Sequence, residues 1–184
     1  MQEVMIKKAA ELLENGTVNR VMGWKAGEFI YDVTPAVFET AEELDAKFVY
    51  NDFCGSNLSK YLVKESRKEG RVLVFLKPCD TYSFNQLIKE HRIARENIYV
   101  IGVPCAGKTD GETLKALGLK GILGVKDVGN SFTVETLYGE KTVSKQEALP
   151  ERCRSCKSHK HMVYDELLGE EGFSAAFIGS GAGL

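Results

Sequence analysis

The stretch from residue 71 to residue 107 decides the fold. It begins with RVLVFLKPCD (71–80) and ends with NIYVIGVPCAG (97–107), two apolar runs that each finish in Pro-Cys. Each run is short and rich in β-branched or aromatic residues, which is typical of a buried strand. The segment between them starts at Asp80, a good helix cap, and carries apolar residues at helical spacing. A β-α-β unit of this length predicts two parallel strands joined by a right-handed crossover.

Four cysteines are the candidate metal ligands. Cys79 and Cys105 each follow one of the two strands, so both are expected at the carboxyl-end rim of the sheet, where open α/β sheets bind ligands. Cys153 and Cys156 form a Cys-x-x-Cys loop, whose two thiolates suit one metal. Four thiolates suit either a structural zinc ion or a [4Fe–4S] cluster, and the spacing alone leaves both open.

The composition limits the class of protein. The 184 residues are 43% hydrophobic and 27% charged, as in a folded domain, and the net charge of −2 gives no reason to expect a nucleic-acid partner. No apolar run approaches the roughly 20 residues of a membrane span, and the start of the chain lacks a signal-peptide pattern. We therefore expect no membrane insertion, a cytoplasmic location and five reduced cysteines.

We expect one α/β domain over residues 1–184, with a mixed, largely parallel sheet, flanking helices and small β-hairpins. Its parts are an N-terminal helix and hairpin (1–50), a central βαβ core (51–125), and a hairpin with the Cys-x-x-Cys segment (126–184). The glycine-rich tail at 178–184 carries no predicted element.

Local patterns predict further elements. A first helix ends at Asn15, strands at 18–24 and 29–33 form a hairpin, residues 34–38 are irregular around a proline, and Thr40 caps a short helix.

In the second half of the chain, Leu114–Leu117 lies on a helix and residues 118–124 form a glycine-rich link. A second hairpin is predicted from 131–138 and 141–143, and 165–169 is a helix end or a strand start.

Two motifs could bind a phosphate. The FCGSN turn (53–57) opens a helix, and its free N–H groups suit an anion; an ordinary helix cap is the alternative. GVPCAGKT (102–109) matches the P-loop pattern G-x-x-x-x-G-K-S/T and follows a strand. However, Pro104 removes one N–H from the phosphate cradle, and Asp110 would place a negative charge beside the phosphates.

Other interpretations of the cysteines remain open. His159 and His161 could complete a local zinc site with the Cys-x-x-Cys loop, although His-x-His is shorter than the usual zinc-finger spacing. The loop could also be a redox dithiol, and the two strand-end cysteines could be buried core thiols. Positive charge around the loop would offset an anionic cluster and attract an acidic electron-transfer partner; the residues are Arg152, Arg154, Lys157 and Lys160.

Several motifs, in this order along the chain, resemble the F420-reducing hydrogenase/dehydrogenase beta-subunit family, which includes beta subunits of F420-dependent formate dehydrogenase. The resemblance extends over roughly Val18 to Gly172. The motifs are CGSN (54–57), KPCD (77–80), IGVPC (101–105) and CRSC (153–156), followed by Tyr164-Asp165 and Gly169.

The resemblance implies an α/β iron–sulfur flavoprotein. Its [4Fe–4S] cluster would be held by the residues that match the family ligands: Cys79, Cys105, Cys153 and Cys156. FAD would lie at the family's Ser-Gly-Gly turn, which this chain replaces by Cys54-Gly55-Ser56. The candidate cofactor-binding residues are Gly55, Ser56 and Asn57, with Lys77 from the KPCD motif.

The expected function is that of an electron-transfer subunit of an oxidoreductase complex of hydrogenase or formate dehydrogenase type. Electrons would pass between a soluble carrier and a partner, which is another subunit of the complex or a ferredoxin-like protein. The alternatives are a zinc-stabilised binding or scaffold module without a redox role, and a P-loop nucleotide-binding protein.

Overall fold

The centre of the fold is the parallel pair of strands β3 (Val72–Leu76) and β4 (Ile98–Gly102), in a computed structural model that describes residues 1–169. Helix α4 (Pro78–Lys89) lies between them in the chain, which confirms the predicted β-α-β unit. Every residue of β3 is buried, as expected for a strand with protein on both of its faces.

Three more strands extend this pair into a five-stranded sheet of order β2-β1-β3-β4-β8. They are β1 (Arg20–Ala26), β2 (Val33–Phe38) and β8 (Glu166–Leu167). The β1–β2 pair is antiparallel and the other pairs are parallel, so the predicted mixed, largely parallel sheet is confirmed.

A second, antiparallel sheet follows in the chain. It consists of β5 (Ile122–Asp127), β6 (Ser131–Thr136) and β7 (Gly139–Ser144), in that order. The predicted second hairpin is therefore confirmed as β6 and β7, whereas β5 begins inside the segment predicted as a glycine-rich link. This sheet has its own buried cluster, formed by Phe53, Leu114, Leu119, Val125, Phe132, Val134 and Ala148.

The other helices are short except for the first. They are α1 (Gln2–Glu14), α2 (Ala41–Lys47), α3 (Leu62–Glu65), α5 (Gly111–Ala116) and α6 (Glu151–Arg154), with 3₁₀ turns at Ser59–Tyr61 and Arg95–Asn97. The helix end at Asn15 and the cap by Thr40, whose side chain accepts from the Glu43 N–H, agree with the predictions. Within residues 1–169, no helix is both long enough and apolar enough to cross a bilayer.

Three local predictions are wrong. The strand predicted at 29–33 lies at 33–38 instead, so residues 34–38, which were predicted to be irregular, belong to β2. Pro35 pairs opposite Trp24, and proline is tolerated there because β2 is an edge strand that need not donate outward. Asp80 does not cap α4. Lys77 holds the cap position, Pro78 fills the first turn, and the Asp80 carboxylate accepts from the Lys77 N–H at 3.3 Å.

The last part of the chain is outside the described residues. This applies to the tail predicted at 178–184 and to the end of the segment predicted at 126–184. The single-domain organisation stays a prediction.

Because β3 is buried between its neighbours, we expect Leu73→Ala to lower the free energy of unfolding by about 2–5 kcal/mol. Urea unfolding followed by circular dichroism would measure the loss. The control is Leu137→Ala, since that side chain is 68% exposed and should contribute little. Equal unfolding midpoints for the two variants would contradict the central position of β3.

Candidate metal centre

Four cysteines from three separate segments line one cavity of about 170 Å³. Cys79 is the second residue of α4, directly after β3, and Cys105 lies in the loop after β4. Cys153 belongs to α6, and Cys156 follows that helix. Because β3 and β4 are parallel neighbours, their carboxyl ends bring the first two cysteines to the same edge of the sheet.

The cavity suits a group of several atoms better than a single ion. Among residues 1–169, no three or more His, Cys, Asp or Glu side chains are arranged to hold one metal ion. A lone zinc requires every ligand sulfur to lie about 2.3 Å from one centre. At about 170 Å³ the cavity is much larger than the roughly 10–15 Å³ that one water needs. Four thiols around such a space fit the donor set of a polynuclear iron–sulfur cluster.

The two strand-end thiols are held in their protonated form by their surroundings. Cys79 is an exposed residue that lines the cavity, yet desolvation by the protein around its thiol, together with the Asp80 carboxylate, raises its pKa to about 12. Burial also raises the pKa of the Cys105 thiol, although Lys108 acts in the opposite direction. A metal that binds here must therefore displace protons from both residues.

Lys77 links the CGSN turn to the start of α4. Its side chain is buried, and its Nζ lies 2.7 Å from Asp80 Oδ2. The same Nζ donates to the carbonyl oxygens of Cys54 at 3.3 Å and Ser56 at 3.1 Å. It also lies 4.8 Å from the centre of the Trp24 ring, a cation–π contact. One buried ammonium group thus fixes the turn against the rim that carries Cys79.

The predicted cofactor-binding residues divide into two groups. Gly55 and Lys77 line the cavity with the cysteines, whereas Ser56 and Asn57 do not. The Asn57 side chain instead donates to Ser83 Oγ at 3.0 Å and accepts from the Ser59 N–H at 2.9 Å. Asn57 therefore holds the shape of the turn.

The fifth cysteine does not belong to the cavity lining. Cys54 is fully buried, and its Sγ accepts from the Asn51 N–H at 3.3 Å. Burial raises the pKa of this thiol as well. These contacts are those of a small core residue that packs inside its own loop.

The P-loop pattern does not form a P-loop. The helix that should begin at the lysine begins at Gly111 instead, capped by the Asp110 side chain. Lys108 is buried, and its Nζ donates to the Asn51 carbonyl oxygen at 2.8 Å. The sequence motif drew attention to Lys108 but gave no sign of its position beside the cysteines.

Within residues 1–169, the histidines and the Cys-x-x-Cys loop are not arranged to hold one metal ion together. His161 lies with its Nε2 3.1 Å from the Leu76 carbonyl oxygen and its ring against Tyr164, so it contacts the end of β3. Around the Cys-x-x-Cys loop, Arg152 pairs with Asp110 at 2.7 Å.

A larger cavity of about 280 Å³ shares Gly107 with the cysteine cavity. Its lining is mainly apolar, with Phe132 and Leu149, and Lys145 lies there in ion pairs with Asp52 and Asp127. It contains no cysteine, so the smaller cavity is the better candidate for metal chemistry.

The chain has relatives among proteins of known activity, although no protein-family model matches it. It is 29% identical to the F420-dependent formate dehydrogenase 1 subunit beta of Methanococcus maripaludis over 102 residues. This alignment covers 55% of this chain and 26% of that protein. It is 28% identical to the F420-dependent formate dehydrogenase subunit beta of Methanocaldococcus jannaschii over 160 residues. That alignment covers 79% of this chain and 42% of the relative. The resemblance to the F420-reducing hydrogenase/dehydrogenase beta-subunit family is confirmed.

A solved structure has a similar fold. A chain of the F420-reducing [NiFe] hydrogenase complex from Methanosarcina barkeri matches with a TM-score of 0.63 and 16% identity, over 83% of this chain and 58% of that one. The chain spans less than half the length of the two beta subunits it matches in sequence.

The buried Lys77–Asp80 pair yields a stability prediction. Lys77→Met should lower the free energy of unfolding by about 3–5 kcal/mol, because it leaves a buried carboxylate without its cation. Urea unfolding of the metal-free protein would measure the effect, and adding Asp80→Asn should restore part of it. The control Lys115→Met removes an exposed pair with Glu112 and should leave the midpoint almost unchanged. An equal effect of both lysine substitutions would refute the buried pair.

Proposed function

We propose that the chain is an electron-transfer subunit, or part of one, in an oxidoreductase complex of hydrogenase or formate dehydrogenase type. It would pass electrons between a soluble carrier and a partner subunit through a [4Fe–4S] cluster. The observation that carries the proposal is the cavity lined by four cysteines from three segments. The similarity to F420-dependent formate dehydrogenase beta subunits supports it and makes F420 the first carrier to test.

The residues that would hold the cluster are Cys79, Cys105, Cys153 and Cys156. Such a cluster supplies one-electron transfer when bound. The role of the protein is to hold the thiolates in place, to exclude water and to supply positive charge. Lys77, Lys108 and Arg152 also line the cavity, and three cations suit an anionic group.

FAD is the second proposed cofactor. The support comes from the family resemblance at the CGSN turn, and from the contact of Gly55 with the cysteine cavity. An added Cβ at Gly55 would meet its nearest atoms at 3.7 Å, so the turn is not crowded on that side. Lys77 would act by fixing this turn through two carbonyl oxygens. A flavin bound at this turn would lie beside the cavity proposed for the cluster, with which it would exchange electrons.

The exposed face beside the Cys-x-x-Cys loop is the proposed contact with the electron-transfer partner. Arg154, Lys157 and Lys160 are exposed there, close in sequence to Cys153 and Cys156. Basic side chains around a redox site speed association with an acidic partner, most strongly at low ionic strength. The acidic partner would be a ferredoxin-like protein or an acidic surface of another subunit.

Anaerobic purification and reconstitution should give a brown protein with about four irons per chain. Replacing any one of Cys79, Cys105, Cys153 and Cys156 by serine should lower the iron content and bleach the visible absorption. Cys54→Ala is the matched control, because that thiol is buried outside the cavity and should not affect iron binding. Iron and acid-labile sulfide analysis with absorption spectroscopy would measure the result.

Two outcomes would contradict this proposal. A colourless protein with one zinc would favour a structural module without a redox role. Iron loss in Cys54→Ala equal to that of the four serine variants would mean that the cavity is not the binding site. Flavin released by heat denaturation, at about one FAD per chain, tests the second cofactor separately.

A further inference from the structure

Lys108 is a second buried cation at the cysteine cavity, and its contacts differ from those of Lys77. Lys108 is 7% exposed and lines the cavity together with Cys105. Nζ donates to the Asn51 carbonyl oxygen at 2.8 Å and lies 4.0 Å from the centre of the Tyr50 ring. Its polar contacts are thus a neutral carbonyl and an aromatic face.

The other two cations at the cavity have carboxylate partners. Lys77 pairs with Asp80, and Arg152 pairs with Asp110, each at 2.7 Å. Within residues 1–169, no carboxylate lies within ion-pair distance of Lys108. The charges of Lys77 and Arg152 are balanced by these ion pairs, whereas the buried Lys108 has no such pair in this part of the chain.

A buried ammonium without an anion is costly, because carbonyl and ring contacts replace its hydration only in part. Burial lowers the pKa of Lys108, and the neighbouring Cys105, Cys54 and Asp52 act in the opposite direction. Negative charge in the cavity would therefore lower the electrostatic free energy of the buried ammonium group. Thiolates with a bound anionic cluster would bring that charge.

We propose that Lys108 is a positioning residue that provides the fixed counter-charge of the cysteine-bound cluster and makes its reduction more favourable. The inference rests on the proposed iron–sulfur function. Reduction adds one electron, and thus one negative charge, to the group beside Lys108. A positive charge held in a desolvated site stabilises the more negative state, so its removal should lower the reduction potential.

The test compares reduction potentials in the full, reconstituted chain. Lys108→Met keeps the length and apolar stem of the side chain and removes the charge. Anaerobic titration with dithionite, followed by absorption and electron paramagnetic resonance, should show reduction at least tenfold less favourable, which is about 59 mV for a one-electron couple. Lys115→Met is the matched control, because Lys115 has a 61% exposed side chain paired with Glu112 and should not alter the potential.

Lys108→Arg retains the charge and should keep the cluster with a potential close to that of the unmodified chain. If Lys108→Met loses its iron, Lys108→Arg provides the test. A cluster retained in Lys108→Arg supports the counter-charge role, and a cluster lost in Lys108→Arg overturns that role in favour of a purely steric one. An unchanged potential in Lys108→Met with full iron content also overturns it. Iron content of the unmodified chain tests the proposed function itself, so failure of that function is distinguishable from failure of the role of Lys108.

Discussion

Parallel pairing of β3 with β4 is the constraint on which the rest of the structure depends. Parallel strands end at the same edge, so two segments that leave their strands through Pro-Cys must start side by side. The buried, apolar character of β3 keeps this pair in the interior of the sheet, with protein on both of its faces. The positions of Cys79 and Cys105 thus follow from hydrophobic burial, and the short α6 needs only to add two cysteines, Cys153 and the Cys156 that follows it, at the same edge.

Buried positive charge is the second organising feature of this edge. The Lys77–Asp80 pair is neutral overall and acts as a structural clamp, because its ammonium group also holds two carbonyl oxygens of the CGSN turn. Lys108 likewise holds the carbonyl oxygen of Asn51, shortly before that turn, but forms no ion pair with a carboxylate in residues 1–169. Two lysines with similar burial therefore have different electrostatic effects, and only their partners distinguish them.

The sequence predicted the parts of the fold that depend on local patterns. Strands β3 and β4 were predicted correctly because a short, continuous apolar run bounded by turn residues is typical of a buried strand. Strand β2 was displaced because Pro35 indicates a break, and only the position of β2 at the sheet edge makes proline compatible with pairing. Among the site residues, Cys79 and Cys105 could be placed from strand order, whereas the burial of Lys108 depends on Asn51 and Tyr50, 57 and 58 residues away, and no local pattern reports it.

The distribution of the four cysteines couples any metal they hold to the stability of the fold. Segments after β3, after β4 and around α6 are separated by long stretches of chain, so joining them restricts the unfolded state as a cross-link does. The effect should be strongest on α6, which has only four residues. The Arg152–Asp110 ion pair connects α6 to the rest of the protein, and the Thr109 hydroxyl donates to the carbonyl oxygen of Ala148, shortly before this helix. Helices this short have little stability of their own. A cluster in the cavity would therefore act on both function and architecture, fixing the segment whose exposed basic residues would face the electron-transfer partner.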